Sequence, residues 1–473
     1  MQPIEKGCLI LQHDDILDKI SRVHFVGIGG SGMCPMAEIL HHEGFALSGS
    51  DTAESDTLER IRALGIPVFM GHRAENIAGA QLVVYTAAVK QDNPELVAAR
   101  QQSIPLMERS EMLGVLSRRY KNTVAVSGTH GKTTTTAMLT QILVGCGADP
   151  TAIIGGKLPY IGGNGRVGHT ETMVCEACEY VDTFLHLTPA VSIILNVDAD
   201  HLDYFGDLEH IVASFHQFAS QTTKALIING DDANTRKAVQ GISLPVITFG
   251  LDESNDYYAA NIAPAAGVRE HFTLMHRGHA LCDIALSVPG RHNIYNALAA
   301  AATAHYLGME PGGIAQSLHQ FTGVHRRFEV LGEYGGITVA DDFAHHPTEL
   351  TATLQAAMAM GFHQVWAVFQ PHTFSRTYLL LNDFAKALSI PDHAVLSEIL
   401  PVRETNTYNI YAKDLADKIP GCVWFSTFDE IADYVVSKAQ PGDLLLTLGG
   451  GDVYKCAHLI VDKLKSLHPN EVR

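Results

Sequence analysis

The chain is poor in cysteine and tryptophan, with 8 and 2 in 473 residues. Cysteines this dilute build no disulfide framework, and only Cys175 and Cys178 form a CxxC pair. A zinc or redox site there needs a second pair or histidines at ligand spacing, and none lies nearby, so packed thiols are expected. Positive charge is also short: 33 Lys and Arg against 51 Asp and Glu leave a formal net charge of −18. That excludes a general affinity for nucleic acid or for an anionic membrane, both of which need a basic surface. No apolar run approaches the roughly 18 residues of a membrane span. The start, MQPIEKGCLILQHDD, lacks the layout of a secretion signal, so a cytoplasmic protein with no membrane partner is expected.

What is present is ordinary globular material, 46% apolar and 18% charged. At about 150 residues per domain the length suggests about three domains. The strand-like run Arg22 to Ile28 leads through Gly29-Gly30-Ser31-Gly32 into a helical stretch that stops at Gly44. Alternating apolar and helical segments follow to about residue 118. The pattern restarts at the β-branched run Asn122 to Ser127, which leads into the helical TTTTAMLTQILVGCG, and restarts again at GITVADD. Strand and helix in alternation imply α/β units with mostly parallel sheets. The expected limits are 1–118, 119–323 and 324–473.

Chemistry concentrates where strands end. Gly27-x-Gly29-x-x-Gly32 opens a helix, and Asp51 follows 24 residues after the first glycine, near the spacing at which an acid meets a ribose. Such a loop suits any diphosphate without choosing between a dinucleotide and a nucleotide sugar. Gly128-Thr129-His130-Gly131-Lys132-Thr133-Thr134 has the character of a phosphate loop, although Val126 stands where the general motif has glycine. Its amides can surround phosphate oxygens, Lys132 can reach the β and γ phosphates, and a threonine hydroxyl can hold Mg²⁺. Cys175-Glu176-Ala177-Cys178-Glu179 and Asp198-Ala199-Asp200-His201-Leu202-Asp203 put Glu176 and His201 at strand ends, the ligand-binding edge of a parallel sheet. In Pro289-Gly290-Arg291-His292-Asn293-Ile294-Tyr295-Asn296 the two asparagines either read an adenine edge or cap a helix. The segments GVHRRFE, DDFAHHPTE and QPHTFSRT lie at the junction into the third unit or just past its strands, and their basic clusters suit phosphoryl transfer and carboxylate recognition. Adjacent His345 and His346 point apart in an extended loop, which favours helix-cap and hydrogen-bonding roles over a shared metal.

In order, GIGGSGM, GTHGKTTT, EACEY, DADHLD, PGRHNIYNALAA, GVHRRFE, DDFAHHPTE and QPHTFSRT resemble the Mur ligase family, over residues 22 to about 452. The resemblance implies a cytoplasmic enzyme of three α/β domains: a Rossmann-like N-terminal domain for a UDP-sugar, a central ATP domain and a Rossmann-like C-terminal domain for an amino acid. It implies ATP-dependent joining of L-alanine to the lactyl carboxylate of UDP-N-acetylmuramate through an acyl phosphate, with Mg²⁺, in peptidoglycan precursor synthesis. The partners it implies are these small molecules alone, and the assembly a monomer or weak homodimer. By the same resemblance Gly27, Gly29, Gly30, Ser31, Gly32, Asp51 and His72 would hold the UDP-sugar, and Gly128 to Thr134 with His292, Asn293 and Asn296 the ATP. Thr133, Glu176 and His201 would take metal, Arg327 the γ-phosphate, Asp342 the ribose, and His372 and Arg376 the alanine; Lys132 and His345 complete the catalytic set.

The chain departs from the family pattern at several points. Many relatives have EADESD where this chain has Glu176-Ala177-Cys178-Glu179-Tyr180-Val181, Phe343 stands where tyrosine is frequent, and Thr373 replaces an arginine of some relatives, leaving Arg376 as the carboxylate anchor. A family member that attaches an intact tripeptide to the same sugar is the nearest rival. A nicotinamide oxidoreductase would leave the phosphate loop without a job, and a silent nucleotide-binding regulator would be expected to lose Lys132, Glu176 or His201. Sister ligases carry a carbamylated lysine roughly 15 residues past the histidine of DADHLD, where this chain reads Ala213-Ser214-Phe215-His216-Gln217. Activity is therefore expected to be the same in carbon dioxide-free and bicarbonate-supplemented buffer; a requirement for bicarbonate would contradict the reading.

Overall fold

The computed structural model describes residues 15–264, 270–402 and 404–469. The N-terminal stretch read for a secretion signal lies outside them except for its last residue, Asp15. Three sheets succeed one another along the chain, each built where an apolar, β-branched run can be buried on both faces. The first has five parallel strands, Arg22–Val26, Ala46–Asp51, Val68–Met70, Leu82–Tyr85 and Leu106–Glu108, in the spatial order 3-2-1-4-5. The order reverses beside the strand Arg22–Val26, and the crevice at such a reversal is where α/β sheets bind ligands.

The second sheet has ten strands. Asn122–Ser127 runs parallel between Val191–Ile194 and Thr172–Glu176, so the phosphate loop, the carboxylate of Glu176 and the loop after Ile194 leave one sheet edge together. One end of this sheet departs from the alternating pattern: Tyr257–Pro264, Glu270–His276 and His279–Ala285 form an antiparallel meander. The alanine-rich helix Arg291–Tyr306, buried all round from Ala297 to Ala302, packs on the phosphate-loop helix Lys132–Gly145. Small side chains permit the close approach. The third sheet pairs Ile337–Asp342, Leu444–Leu448, Val365–Phe369, His393–Leu396 and Val423–Trp424 in parallel, with Glu329–Tyr334 as an antiparallel edge. No helix among the described residues is long and apolar enough to cross a membrane. Cys175 and Cys178 are free thiols, and burial pushes Cys175 up to about 12, as packed cysteines require.

The first unit is fastened to the second by Lys157 Nζ to Asp56 at 2.5 Å, by Arg60 to the carbonyl of Gly162 at 3.3 Å, and by Asn164 Nδ2 to the carbonyl of Ser31. Arg60 is itself held on Glu38 at 2.8 Å. Beneath the first glycine loop lies Glu95, whose side chain is fully buried. It accepts from Ser50 Oγ at 2.6 Å, Asn76 Nδ2 at 2.5 Å and the His72 ring at 3.2 Å, with His24 Nε2 3.8 Å away. Burial acts to raise this carboxyl, but the neighbouring His24 and the bonds from Ser50 and Asn76 prevail and hold it at about 2. A carboxyl depressed in the fold stabilises it above its unfolded value, and the contribution fades as pH falls toward the folded value. Glu95→Gln is expected to destabilise the first unit by about 2 kcal/mol at neutral pH, read by urea unfolding and hydrogen exchange of the first sheet. The gap between the two proteins should narrow as pH falls from about 4.5 toward 2.

Candidate active site

The phosphate loop forms because two of its glycines take conformations that side chains resist: Gly128 has φ +137° and Gly131 φ +85°. A Cβ on Gly131 would lie 2.4 Å from Asn296 Oδ1. That same oxygen accepts from Thr135 Oγ1 at 3.2 Å, and Asn296 Nδ2 donates to Asn293 Oδ1, while Asn293 Nδ2 donates to the Pro289 carbonyl. Asn296 thus buttresses the loop from behind, and Asn293 is tied into the turn that starts its helix. Both still line a cavity of about 480 Å³ with His292, Arg327, Asp342 and Glu349. The titration of His292, exposed at the edge of this cavity, is lowered by the protein packed around it and by the nearby Arg327 guanidinium.

Lys132 folds back over the loop. Its Nζ donates to the carbonyls of Gly128 at 2.6 Å and Thr129 at 3.0 Å and pairs with Glu179 at 2.8 Å. Burial opposes the ammonium, yet the Glu179 carboxylate more than offsets it and holds the lysine above its usual range. Thr133 Oγ1 reaches Glu176 at 3.2 Å, and Glu176 also accepts from the Gly155 amide at 2.5 Å. His201 sits at φ +53° with its ring 4.5 Å from Tyr180, and burial lowers its titration, which favours the neutral ring with a lone pair on one nitrogen. The set Thr133, Glu176 and His201 thus offers a hydroxyl, a carboxylate and a neutral imidazole to one cavity of about 550 Å³.

That cavity joins all three sheets. Gly29, Ser31 and Thr57 line it from the first unit, Lys132, Thr133, Glu176 and His201 from the second, and Arg327, Phe343 and His345 from the third. In the first unit the Gly29 amide donates to Asp51 Oδ2 at 2.9 Å, so Asp51 braces the glycine loop, whose first residue Gly27 has φ +82°. Gly30 and Gly32 complete the turn: Gly30 donates to the Gly27 carbonyl and Gly32 precedes the helix Met33–His42, packed against Arg109. His72 lies at the neighbouring strand end, fixed by Ser50 and Glu95.

The two adjacent arginines have parted roles. Arg326 is consumed in the third domain, bonding Asp341 at 2.8 Å and the carbonyls of Gly449 and Gly451. Arg327 lies with its guanidinium 5.2 Å from the Phe343 ring and faces both cavities. Phe343, the ring expected where relatives have tyrosine, thus serves as a platform for both guanidinium groups. Asp342 accepts from the amides of Phe328 and Ala344, and burial raises it to about 6 against the pull of Arg327.

Next to the junction lies a third cavity, of about 310 Å³, lined by His372 and Arg376 with Tyr180, Asp200 and Glu404. Arg376 pairs with Asp200 at 3.0 Å across from the second domain. His345 and His372, with rings 5.5 Å apart, are pushed by burial down to about 4 and about 3. His345 Nδ1 donates to the Phe343 carbonyl at 2.9 Å, which leaves Nε2 with a lone pair. His130 is the opposite case: Asp198 at 3.2 Å and Glu349 at 3.3 Å overcome its burial and raise it to about 9. Glu179, Asp198, Asp200 and Glu349 were not singled out from the sequence as site residues; each stands in a motif quoted for another residue, and only its partner across the fold reveals it.

Three family descriptions cover most of the chain: "Mur ligase family, catalytic domain" matches residues 22–121, "Mur ligase middle domain" 126–304 and "Mur ligase, glutamate ligase domain" 326–451. The chain belongs to the Mur ligase family. Relatives named UDP-N-acetylmuramate–L-alanine ligase from Alkaliphilus metalliredigens and Agathobacter rectalis are 42% and 45% identical over 448 residues each, covering 94% and 93% of this chain and 97% and 98% of theirs. The crystal structure of the UDP-N-acetylmuramate-alanine ligase of Thermotoga maritima aligns with a TM-score of 0.80 at 30% identity, over 94% of this chain and 99% of that one. A murein peptide ligase from Psychrobacter arcticus shares the fold, with a TM-score of 0.73 at 24% identity over 94% and 99% of the two chains. Mur ligases use ATP with a divalent metal ion.

Lys132 is held by Glu179 at 2.8 Å, so any phosphate that draws on its ammonium competes with that carboxylate. Glu179→Gln should therefore tighten binding of a non-hydrolysable ATP analogue, by roughly three- to tenfold, as measured by calorimetry. Weaker binding would show that Glu179 serves the nucleotide directly.

Proposed function

We infer that this enzyme joins L-alanine to the lactyl carboxylate of UDP-N-acetylmuramate, converting ATP to ADP and phosphate, in bacterial peptidoglycan precursor synthesis. The observation that carries the reading is the junction cavity, where a dinucleotide-type glycine loop, a phosphate loop and an arginine-histidine face meet in one space. The identity of 42% to 45% with relatives bearing that ligase name supports the choice of substrates.

In this reading the carboxylate oxygen attacks the γ-phosphorus, ADP leaves, and the alanine amine then attacks the acyl carbon and expels phosphate with loss of one proton. Gly27 to Gly32, Asp51 and His72 hold the UDP-sugar, and Gly128 to Thr134 cradle the ATP phosphates. Lys132 exchanges Glu179 for phosphate oxygens, and Arg327 meets the γ-phosphate from the third domain, so positive charge is in place where negative charge gathers. His292, Asn293 and Asn296 line the base cavity, with Asp342 toward the ribose. Thr133, Glu176 and His201 would hold Mg²⁺; the oxygens of Thr133 and Glu176 suit a hard cation, and the neutral His201 ring adds a donor without repelling one. A bound cation there supplies charge neutralisation at the phosphoryl oxygens.

Arg376 binds the amino-acid carboxylate, trading its contact with Asp200. His345 and His372 are neutral acceptors that do not repel the incoming amine, which must shed its charge to attack. Closure of the third domain over the second excludes the water that would hydrolyse the acyl phosphate. The same reading takes the domain limits as 1–118, 119–323 and 324–473, and the enzyme as a cytoplasmic monomer or weak homodimer acting on small molecules.

The test is phosphate release from ATP and Mg²⁺ with UDP-N-acetylmuramate, offering L-alanine, glycine, L-serine, D-glutamate or the L-Ala-D-Glu-diaminopimelate tripeptide. L-Alanine should be strongly preferred; preference for the tripeptide would reassign the acceptor. Arg376→Ala should raise the KM for alanine by about 10- to 100-fold and that for ATP far less.

A further inference from the structure

His130, Asp198 and His346 stand apart from the Thr133, Glu176 and His201 set. Each offers a ligand atom, and the three atoms lie within 4.8 Å of one another. His130 comes from the phosphate loop and Asp198 from the loop after the strand Val191–Ile194, while His346 caps the helix Pro347–Ala359 of the third domain. His130 Nε2 is 3.2 Å from Asp198 Oδ2, and the rings of His130 and His346 are 5.0 Å apart and inclined at 34°. His346 is 4% exposed, and its Nε2 is buried with no hydrogen-bond partner. A buried polar nitrogen left empty is costly, so its environment calls for an explanation.

We propose that His130, Asp198 and His346 form a transition-metal site that bridges the phosphate loop and the third domain, and that it takes Zn²⁺, Co²⁺ or Ni²⁺ in preference to Mg²⁺. Two imidazoles and one carboxylate are the donors of zinc-type sites, whereas Mg²⁺ demands oxygen ligands in an octahedron. Tetrahedral ligands at about 2.1 Å from a metal lie about 3.4 Å apart. His130 and Asp198 already have that spacing, and His346 has to close in by about an ångström. Glu349, 3.3 Å from His130 Nδ1, fixes the ring so that Nδ1 keeps its proton and Nε2 gives its lone pair to the metal. The Nε2 proton that His130 shares with Asp198 passes to solvent. His346 ligates through Nε2 with its own proton on Nδ1, which surrenders the long 3.3 Å contact from the Thr348 amide. Entry is open, because Asp198 is 39% exposed and both it and His130 line the nucleotide cavity. A metal held there staples the third domain to the phosphate loop, and turnover that needs the domains to part would stop until a chelator removes it.

The test uses the full-length, nucleotide-free protein in millimolar Mg²⁺, titrated with Co²⁺ and followed by its visible ligand-field absorption and by equilibrium dialysis. One Co²⁺ per chain is expected to bind despite the Mg²⁺. His346→Asn keeps an acceptor for the helix cap but removes the Nε2 ligand, and should weaken binding at least about tenfold. Asp198→Asn should do the same and decides the matter if the first variant does not fold. Glu176→Gln, in the separate metal set, should leave Co²⁺ binding unchanged. Equal binding by both cluster variants, loss with Glu176→Gln, or displacement of Co²⁺ by Mg²⁺ would each overturn the proposal. None of these readouts depends on the substrates assigned above.

Discussion

Burying a lysine ammonium in the phosphate loop is the constraint around which the molecule is arranged. The charge is tolerated because two loop carbonyls and the nearly inaccessible Glu179 surround it, and an unpaired ammonium at that depth would lose its proton instead. The loop can offer those carbonyls only while Gly128 and Gly131 hold backbone angles unsuited to other residues. Asn296, from a helix more than 150 residues later, keeps Gly131 from gaining a side chain and anchors Thr135. One buried charge thus dictates a turn, the turn dictates the packing of two helices, and the packing explains a run of alanines.

Electrostatic partition is the second theme. Around the glycine-rich loop 128–134 the side chains are charged and paired, as with Lys132 and Glu179 or His130 between Asp198 and Glu349. Around the cavity of His372 and Arg376 the imidazoles of His372 and His201, with His345 close by, are lowered by burial. The same residue type serves opposite ends because its neighbours differ: carboxylates face His130, while Arg376 stands beside His372 at 3.4 Å.

Much of this was legible in the chain itself. Glycine loops, Lys132, Glu176, His201 and the RRFE segment are signals confined to a few consecutive residues, and the restart of strand, loop and helix marks three sheets. The antiparallel meander of 257–285 was not read, because short alternating runs without a distinctive turn look alike whichever direction they pair. Pairings at long separation were also beyond reach: Glu349 lies 219 residues from His130 and Asp200 176 from Arg376. Nor does spacing tell that Arg326 is spent on Asp341 while Arg327 is left to face the cavities. Asn293 and Asn296 illustrate the converse, residues conspicuous in the sequence whose bonds turn inward.

The connector into the third domain has a geometry of its own. Gly323, Arg326 and Phe328 have φ of +106°, +61° and +49°, and Arg326 is riveted to the third sheet and to the carbonyls of Gly449 and Gly451. From Arg326 onward the chain is therefore one lever with the third domain, whereas Val324 is buried in the second domain's core and the His325 amide donates to the Lys157 carbonyl, so the changeover falls between His325 and Arg326. Arg327 rides on that lever. Its guanidinium therefore has no placement independent of the third sheet, and the two cavities that it faces owe that positive charge to the same rigid attachment.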